Sequence, residues 1–591
     1  MGAQETGFDG TTRFSDYLPL ADGTRLAYDL ILPTIAGRPS EQPLPALFKY
    51  TPYLRAYVIR GEQEKSRVAE LYRMPPAQRA VLQDLDLFDP RHRTGWLAAL
   101  VQQGYAAIVV ERPGTGASFG TMDPTLAGTA READQVLDWI AAQDWCNGRI
   151  GMWGASWEGQ TQLAAASTGN PHLKAIMPSA TPMDGYGISY QGGIYNQAFA
   201  RFFAWSITIL NSSIITPVDT DPDGSVLAQA RAERAGSAVG QTMTDASWRA
   251  FPFRDSEIAS GRPMWEYISA YPLLDQINGA GVAVCLVAGW YDIFARDVFL
   301  LYRNLTVPKR LLVRPLGHSQ IDATAPDLDY GAEAQRWFDH WLKGTDTGTM
   351  DEPPVRYYLL GGTRADRWHA ARQWPPVQPQ PQLTLYPGAD HVLAPSPPAA
   401  AAGSDAYTVD YGTTTGKDTR WAAVNWEHAY GDLAAHDVGA LSYTSAPLQA
   451  PLRAVGHPVA RLWLSTAAPD LDIFAYLQQV DGQGRSTYVT EGALRASHRA
   501  AAEPPYDNLG LPYHDHCQSH LAPIPSGEPF EVTLDLEPTG FEFPAGSQVR
   551  LTIAFADAGN FDTPLLEPAP GVELIHDSQH PSRVDIPAIA P

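Results

Sequence analysis

Cysteine is scarce in this chain: three occur in 591 residues, at 146, 285 and 517. They lie far apart and two of them stand among apolar neighbours, which argues against a disulfide framework or a thiolate metal site and fits a reducing compartment. Long hydrophobic runs are missing too. Nowhere do about 18 uninterrupted apolar residues occur, and Met1-Gly-Ala-Gln-Glu-Thr6 has neither a basic nor an apolar leader segment, so a soluble, cytoplasmic chain without a membrane partner is expected. Runs of Lys and Arg are absent as well. With 42 basic against 65 acidic residues the formal charge is −23, which would repel a phosphate backbone and argues against nucleic acid as a partner.

Cofactor signatures are equally thin. Gly114-x-Gly116 lacks the third glycine and the acidic residue of a dinucleotide fingerprint, and there is no phosphate-binding loop, so no cofactor is expected. His514-Asp-His516-Cys517 with His520 lacks a zinc spacing, and no metal is expected. No period of roughly 20 to 50 residues is visible, which argues against a repeat architecture.

What is present is an ordinary globular composition, with 44% hydrophobic and 18% charged residues, in a chain too long for one hydrophobic core. Phe14 to Leu32 alternates apolar and polar residues about an Asp22-Gly23 turn, predicting a hairpin of edge strands. Pro45–Tyr50 and Ala106–Glu111 read as buried strands, and Ala133, Val136, Leu137 and Ile140 recur at helical spacing. That alternation continues through Leu173–Pro178, Val282–Val287 and Arg310–Val313, so a mainly parallel sheet is expected. Between 183 and 276 it breaks into aromatic-rich helical segments, read as an inserted cap. After a linker at Gly344 to Pro354, short alternating runs such as Val355–Leu359, Val459–Leu464 and Val549–Ala554 predict a jelly-roll β-sandwich. The expected domains are thus 1–182 and 277–346 for an α/β core, 183–276 for the cap and 347–591 for the β domain.

The chemistry is organised around Arg149 to Gln160. A short apolar strand runs into Gly154-Ala-Ser156-Trp-Glu-Gly159 and on into a helical pattern, the strand–turn–helix context of a nucleophile elbow. The spacing G-x-S-x-x-G is one residue longer than the usual G-x-S-x-G. Glycines two before and three after the serine are expected because side chains there would collide with the strand and helix that meet at the turn. A serine nucleophile needs a base and a group to orient that base, in chain order Ser, Asp, His on this kind of sheet. Asp292 follows the Val282–Val287 strand and His318 follows the Arg310–Val313 strand, so Ser156, Asp292 and His318 are the candidate catalytic residues.

These motifs, with Gly289-Trp-Tyr-Asp-x-Phe294, Gly317-His-Ser319, Leu441-Ser-Tyr-Thr-Ser-Ala-Pro447 and Glu491-Gly-Ala-Leu-Arg495, resemble the cocaine esterase/X-Pro dipeptidyl-peptidase (CocE/NonD) family of serine hydrolases. The resemblance implies an α/β-hydrolase core with a helical cap and a jelly-roll domain that helps wall the pocket. It also implies that Tyr53, in Thr51-Pro-Tyr53, and the backbone N–H of Trp157 form the oxyanion hole. Trp290 and Phe294, on either side of Asp292, are expected beside the substrate. Pro113 stands where the family usually has an arginine, and Arg112 is displaced by one position. A cofactor-free esterase for a bulky, partly aromatic acyl group is expected, as is a homodimer. The resemblance implies that the prolyl dipeptidases of lactic bacteria are longer, with an N-terminal helical domain not expected here because the first hairpin starts by Phe14. The α-amino-acid ester hydrolases bind an ammonium group with carboxylates, a role that Asp184, Asp297 and Glu158 leave open. A non-catalytic binding protein on a hydrolase scaffold is the alternative from another class.

Overall fold

The computed structural model describes residues 7–58, 62, 65–66, 95–210, 214–234, 245–259, 261–322, 325, 327–362, 366–377, 382–422 and 430–589. Its first body is built on an 11-stranded sheet. Across it the strands run in the order Gly10–Pro19, Arg25–Ile35, Ala106–Glu111, Leu44–Thr51, Cys146–Ala155, Leu173–Ser179, Ala283–Tyr291, Lys309–Gly317, Val355–Tyr358 and Trp368–Ala371. The six pairings from Ala106–Glu111 to Val355–Tyr358 are all parallel. Strands in the middle of such a sheet are covered on both faces, and Leu44–Thr51, Ala106–Glu111 and all but the last residue of Ala283–Tyr291 are buried at every position.

Helices Leu126–Ala141 and Trp157–Ser167 supply the crossovers. The first is amphipathic and turns Ala133, Val136, Leu137 and Ile140 to the sheet, with Thr125 as its N-cap accepting from the Gly128 N–H. The second is buried along nearly its whole length, because its alanines let it sink between sheet and neighbouring helices.

Two expectations are corrected here. Only Gly10–Pro19 of the N-terminal hairpin lies at the sheet edge, since Arg25–Ile35 also pairs with Ala106–Glu111. The strand Val355–Tyr358, read from sequence as part of the β-rich half, pairs in parallel with Lys309–Gly317 and carries Trp368–Ala371 beyond it. An alternating run does not specify which sheet it joins; Val355 and Tyr357 are buried against the first core.

The described residues between 183 and 276 include the helices Gly185–Ser189, Gln197–Leu210, Ser225–Arg234, Asp245–Arg249 and Met264–Tyr267 and a short pairing of Tyr190–Gln191 with Ile194–Tyr195. The second body is a 14-stranded, largely antiparallel assembly, in which Val459–Thr466 pairs with three other strands. An aromatic cluster joins it to the helical segment and to the first body: Tyr186, Tyr190 and Trp265 meet Phe294, Trp421, Phe474 and Tyr488. No helix among the described residues is long and apolar enough to cross a membrane.

Candidate active site

Ser156, Asp292 and His318 each stand one residue beyond a strand that ends at the same, carboxyl edge of the parallel sheet. Ser156 has φ 63° and ψ −125°, a conformation that L-residues seldom adopt and that costs on the order of 1–3 kcal/mol. The strain turns the chain sharply from strand into helix and leaves the serine at the bend. It is held there by backbone bonds, Ser156 N–H to Ser179 O at 2.9 Å and Gly159 N–H to Ser156 O at 2.9 Å. The glycines have the expected steric reason with different partners. A Cβ on Gly154 would lie 2.7 Å from Glu158 Cβ on the helix, and one on Gly159 would lie 2.6 Å from Thr181 Cβ, past the next strand.

Asp292 is fully buried and its Oδ1 lies 2.7 Å from His318 Nδ1, which donates to it. That bond engages Nδ1 of the imidazole and not Nε2. Among the described residues no hydrogen bond joins Ser156 Oγ to His318. The strands that bear them lie three places apart in the sheet, and nucleophile–base contacts are often long in ligand-free enzymes and tighten with substrate bound. Phe294 links them: its ring is edge-on to the imidazole at 5.4 Å and lines the cavity that Ser156 lines.

That cavity, ≈ 320 Å³, has Ser156 and Tyr53 on one wall and Trp157, Phe199, Phe203, Trp248, Phe251 and Ile268 around it. None of its described lining residues carries a charge. Trp248 stacks on Phe203 at 5.2 Å and on Phe199 at 6.0 Å, so the apolar wall is continuous. Tyr53 stands edge-on to Trp157 at 6.3 Å, beside the elbow. The Trp157 N–H opens helix Trp157–Ser167, in the first turn, where helical donors have no intrahelical acceptor and the dipole favours negative charge.

The carboxylates that sequence left open are engaged elsewhere. Glu158 pairs with Lys49 at 2.6 Å and accepts from Thr51 Oγ1 at 2.7 Å. Asp184 takes a two-pronged bond from Arg254 at 2.9 and 2.6 Å. Asp297 lines a separate polar cavity of ≈ 110 Å³, where burial and then the Asp184 charge push its carboxyl well above the usual range. Trp290 corrects an expectation. It is 1% exposed, donates to Tyr358 O at 2.6 Å and packs on Phe299 and Trp374, away from the Ser156 cavity. The strand slips register between Gly289 and Tyr291, and the bulge aims Trp290 into the main core.

Of the aromatics between 183 and 276, Phe199, Phe203, Trp248, Phe251 and Tyr267 line the cavity, whereas Tyr186 and Tyr190 are buried against Trp265; the Trp205 side chain lies outside the described residues. The displaced Arg112 is buried and bonds Glu132 Oε2 at 2.9 and 3.1 Å. His514 faces carbonyl oxygens with both ring nitrogens, and His516 stacks on Tyr186 at 5.0 Å. Sequence reading missed Lys49, whose only signal was a lysine inside an otherwise apolar strand.

Comparison with known proteins places the chain in a family. Residues 22–320 match the family described as X-Pro dipeptidyl-peptidase (S15 family), and residues 347–584 match the X-Pro dipeptidyl-peptidase C-terminal non-catalytic domain. A Mycobacterium bovis protein that carries a serine esterase name is 32% identical, over 99% of this chain and 96% of that protein. The cocaine esterase of Rhodococcus sp. is 25% identical over 97% of each. Among solved structures, a CocE/NonD family hydrolase from Staphylococcus aureus superposes with a TM-score of 0.70 at 20% identity, covering 98% of this chain and 94% of that one. An α-amino acid ester hydrolase superposes with a TM-score of 0.72 at 17% identity, covering 100% and 98%. With the S15 description and a relative aligned along nearly its whole length, this chain belongs to the cocaine esterase/X-Pro dipeptidyl-peptidase family and is a serine hydrolase.

Proposed function

We propose that the chain is a carboxylesterase acting on esters of uncharged, bulky acyl groups through Ser156, His318 and Asp292. The observation that carries this reading is the cavity at Ser156, which is apolar and has no charged residue among its described lining residues. Substrates with a free amino group need an anionic anchor to offset desolvation of the ammonium. The nearby carboxylates Glu158 and Asp184 are already neutralised by Lys49 and Arg254, and Asp297 faces another cavity. This weighs against the X-Pro dipeptidyl-peptidase and α-amino-acid ester hydrolase readings.

In the proposed reaction Ser156 Oγ attacks the ester carbonyl while His318 Nε2 takes its proton, and the Asp292 carboxylate steadies the imidazolium through Nδ1. The oxyanion is received by the Tyr53 hydroxyl and the Trp157 N–H, donors fixed before charge develops. The proton passes to the leaving alkoxide, and water, activated by the same imidazole, releases the acid. Residues 183–276 are read as a helical cap over this cavity and 347–591 as a jelly-roll domain beside it. A soluble, cytoplasmic homodimer is the expected form, which sedimentation and fractionation test.

The test is labelling with a fluorophosphonate, followed by a panel of p-nitrophenyl esters, amino-acyl amides and X-Pro amides. Label that disappears in Ser156→Ala, with esters turned over fastest, supports the esterase reading. Preference for X-Pro amides would replace it with the peptidase reading, and a wild-type chain that takes no label would leave only a binding role.

A further inference from the structure

The loop carrying Asp292 has an unusual need for hydrogen-bond partners. The strand Ala283–Tyr291 pairs in parallel with Lys309–Gly317, but the register slips between Gly289 and Tyr291, so Trp290 drops out of the ladder. A buried carbonyl that leaves a sheet must find another donor or forfeit the free energy of that bond. The donor here comes from the other body of the protein. Arg420, 0% exposed, donates from Nη2 to Trp290 O at 3.0 Å and from Nη1 to Asp292 O at 3.2 Å.

The guanidinium is itself held by three side chains. Tyr488 Oη accepts from Nε at 3.2 Å and from Nη2 at 2.9 Å, Glu537 Oε2 accepts from Nη1 at 3.2 Å, and Glu491 Oε1 lies 3.7 Å from Nε. Tyr488 and Tyr430 stack at 3.6 Å and both donate to Glu491. Glu537 also accepts the Arg296 N–H at 3.2 Å, in the first turn of the helix that follows Asp292. The β body thus grips the Asp292 loop at residues 290, 292 and 296, and a planar fork with five donors is suited to bridging two carbonyls at once.

The geometry points to Arg420 as a positioning residue for the reaction: by bridging the Trp290 and Asp292 carbonyls it sets the Asp292 carboxylate against His318, so the domain described as non-catalytic completes the active site. This rests on the reading of Asp292 as the triad acid. Its consequence is a defect in turnover rather than in binding, because Arg420 lines neither the Ser156 cavity nor any surface that substrate reaches.

The experiment uses the full-length chain, with kcat expressed per fluorophosphonate-labelled site so that unfolded protein does not count. Arg420→Lys keeps the charge for Glu491 and Glu537 and removes the fork. It is expected to lower kcat about 10²-fold with KM within about threefold of wild type. Tyr488→Phe, which loosens the guanidinium without removing it, is expected to fold and to lower kcat about fivefold with KM unchanged, and it serves as the test if Arg420→Lys fails to fold. Arg461→Gln, which breaks the Arg461–Glu531 pair elsewhere in the same body, is the control and should keep wild-type kcat. A lower melting temperature with unchanged kcat per site in both variants would overturn the proposal, as would an equal loss of kcat in the control. A wild-type chain that takes no label brings down the serine-hydrolase reading and the proposal with it. A labelled, active wild type with an active Arg420→Lys variant brings down the proposal alone.

Discussion

Lys49 Nζ lies 2.6 Å from Glu158 Oε2, both side chains less than a tenth exposed, directly behind the turn that bears Ser156. Lys49 also stands over the Trp153 ring at 4.3 Å, and Thr51, whose hydroxyl bonds Glu158, accepts the Tyr53 N–H at 3.1 Å. Removing one partner of a buried pair strands the other charge, at a cost of about 3–5 kcal/mol, whereas replacing both by apolar groups is often close to neutral. Glu158→Leu is therefore expected to lower the melting temperature sharply. The double variant Lys49→Met/Glu158→Leu should melt above either single variant in a thermal scan; a double that melts below both would show that the pair is not the coupled unit described.

Tyr53→Phe removes a single hydroxyl at the elbow and leaves the ring against Trp157. With Tyr53 as an oxyanion donor, kcat for p-nitrophenyl esters is expected to fall about 10²- to 10³-fold while KM changes little. Unchanged turnover would assign the tyrosine to packing alone.

The apolar wall makes its own prediction. Trp248 contributes two ring contacts, each worth about 0.5–1.5 kcal/mol, so Trp248→Ala should raise KM for aromatic acyl esters about tenfold and leave acetyl esters nearly unchanged. The ratio of the two specificity constants measures it directly, and equal losses on both substrates would place the acyl group elsewhere.

Acid sensitivity is expected to have a local source in the β body. His457 is buried against Phe299, neither ring nitrogen has a hydrogen-bond partner among the described residues, and burial pulls its imidazole down to about 3. In the unfolded chain the same group takes up a proton below about pH 6.5, while the folded chain takes it up only near pH 3. Unfolding therefore binds a proton in that window, and stability falls as pH drops through it. His457→Leu should narrow the gap in melting temperature between pH 8 and pH 5; an unchanged gap would locate the sensitivity in other groups.

Much of the first sheet was legible because buried parallel strands read as short apolar runs and their crossover helices as 3.6-residue periodicity. Ala106–Glu111 has the bounds its residues suggest, and the segment from Arg149 onward forms a strand, a strained turn and a helix. Val355–Tyr358 was misplaced because period-2 alternation states that a strand has two unlike faces and says nothing of its neighbours. Trp290 was misplaced for a related reason. Nothing in Gly289-Trp-Tyr-Asp292 marks the bulge that turns the indole inward.

The chain's own order of residues determined what is local: the elbow with its flanking glycines, the strands that end at Ser156, Asp292 and His318, and the change from α/β alternation to β-rich sequence, since each depends on neighbours within a few positions. Tertiary structure alone decided that Asp292 meets His318, that the described lining of the Ser156 cavity carries no charge, and that Lys49 pairs with Glu158 and Arg420 with the Trp290 carbonyl across distant parts of the chain. Those outcomes depend on which buried polar groups find partners across long sequence separations, and that pairing is settled only when the separate layers close on one another.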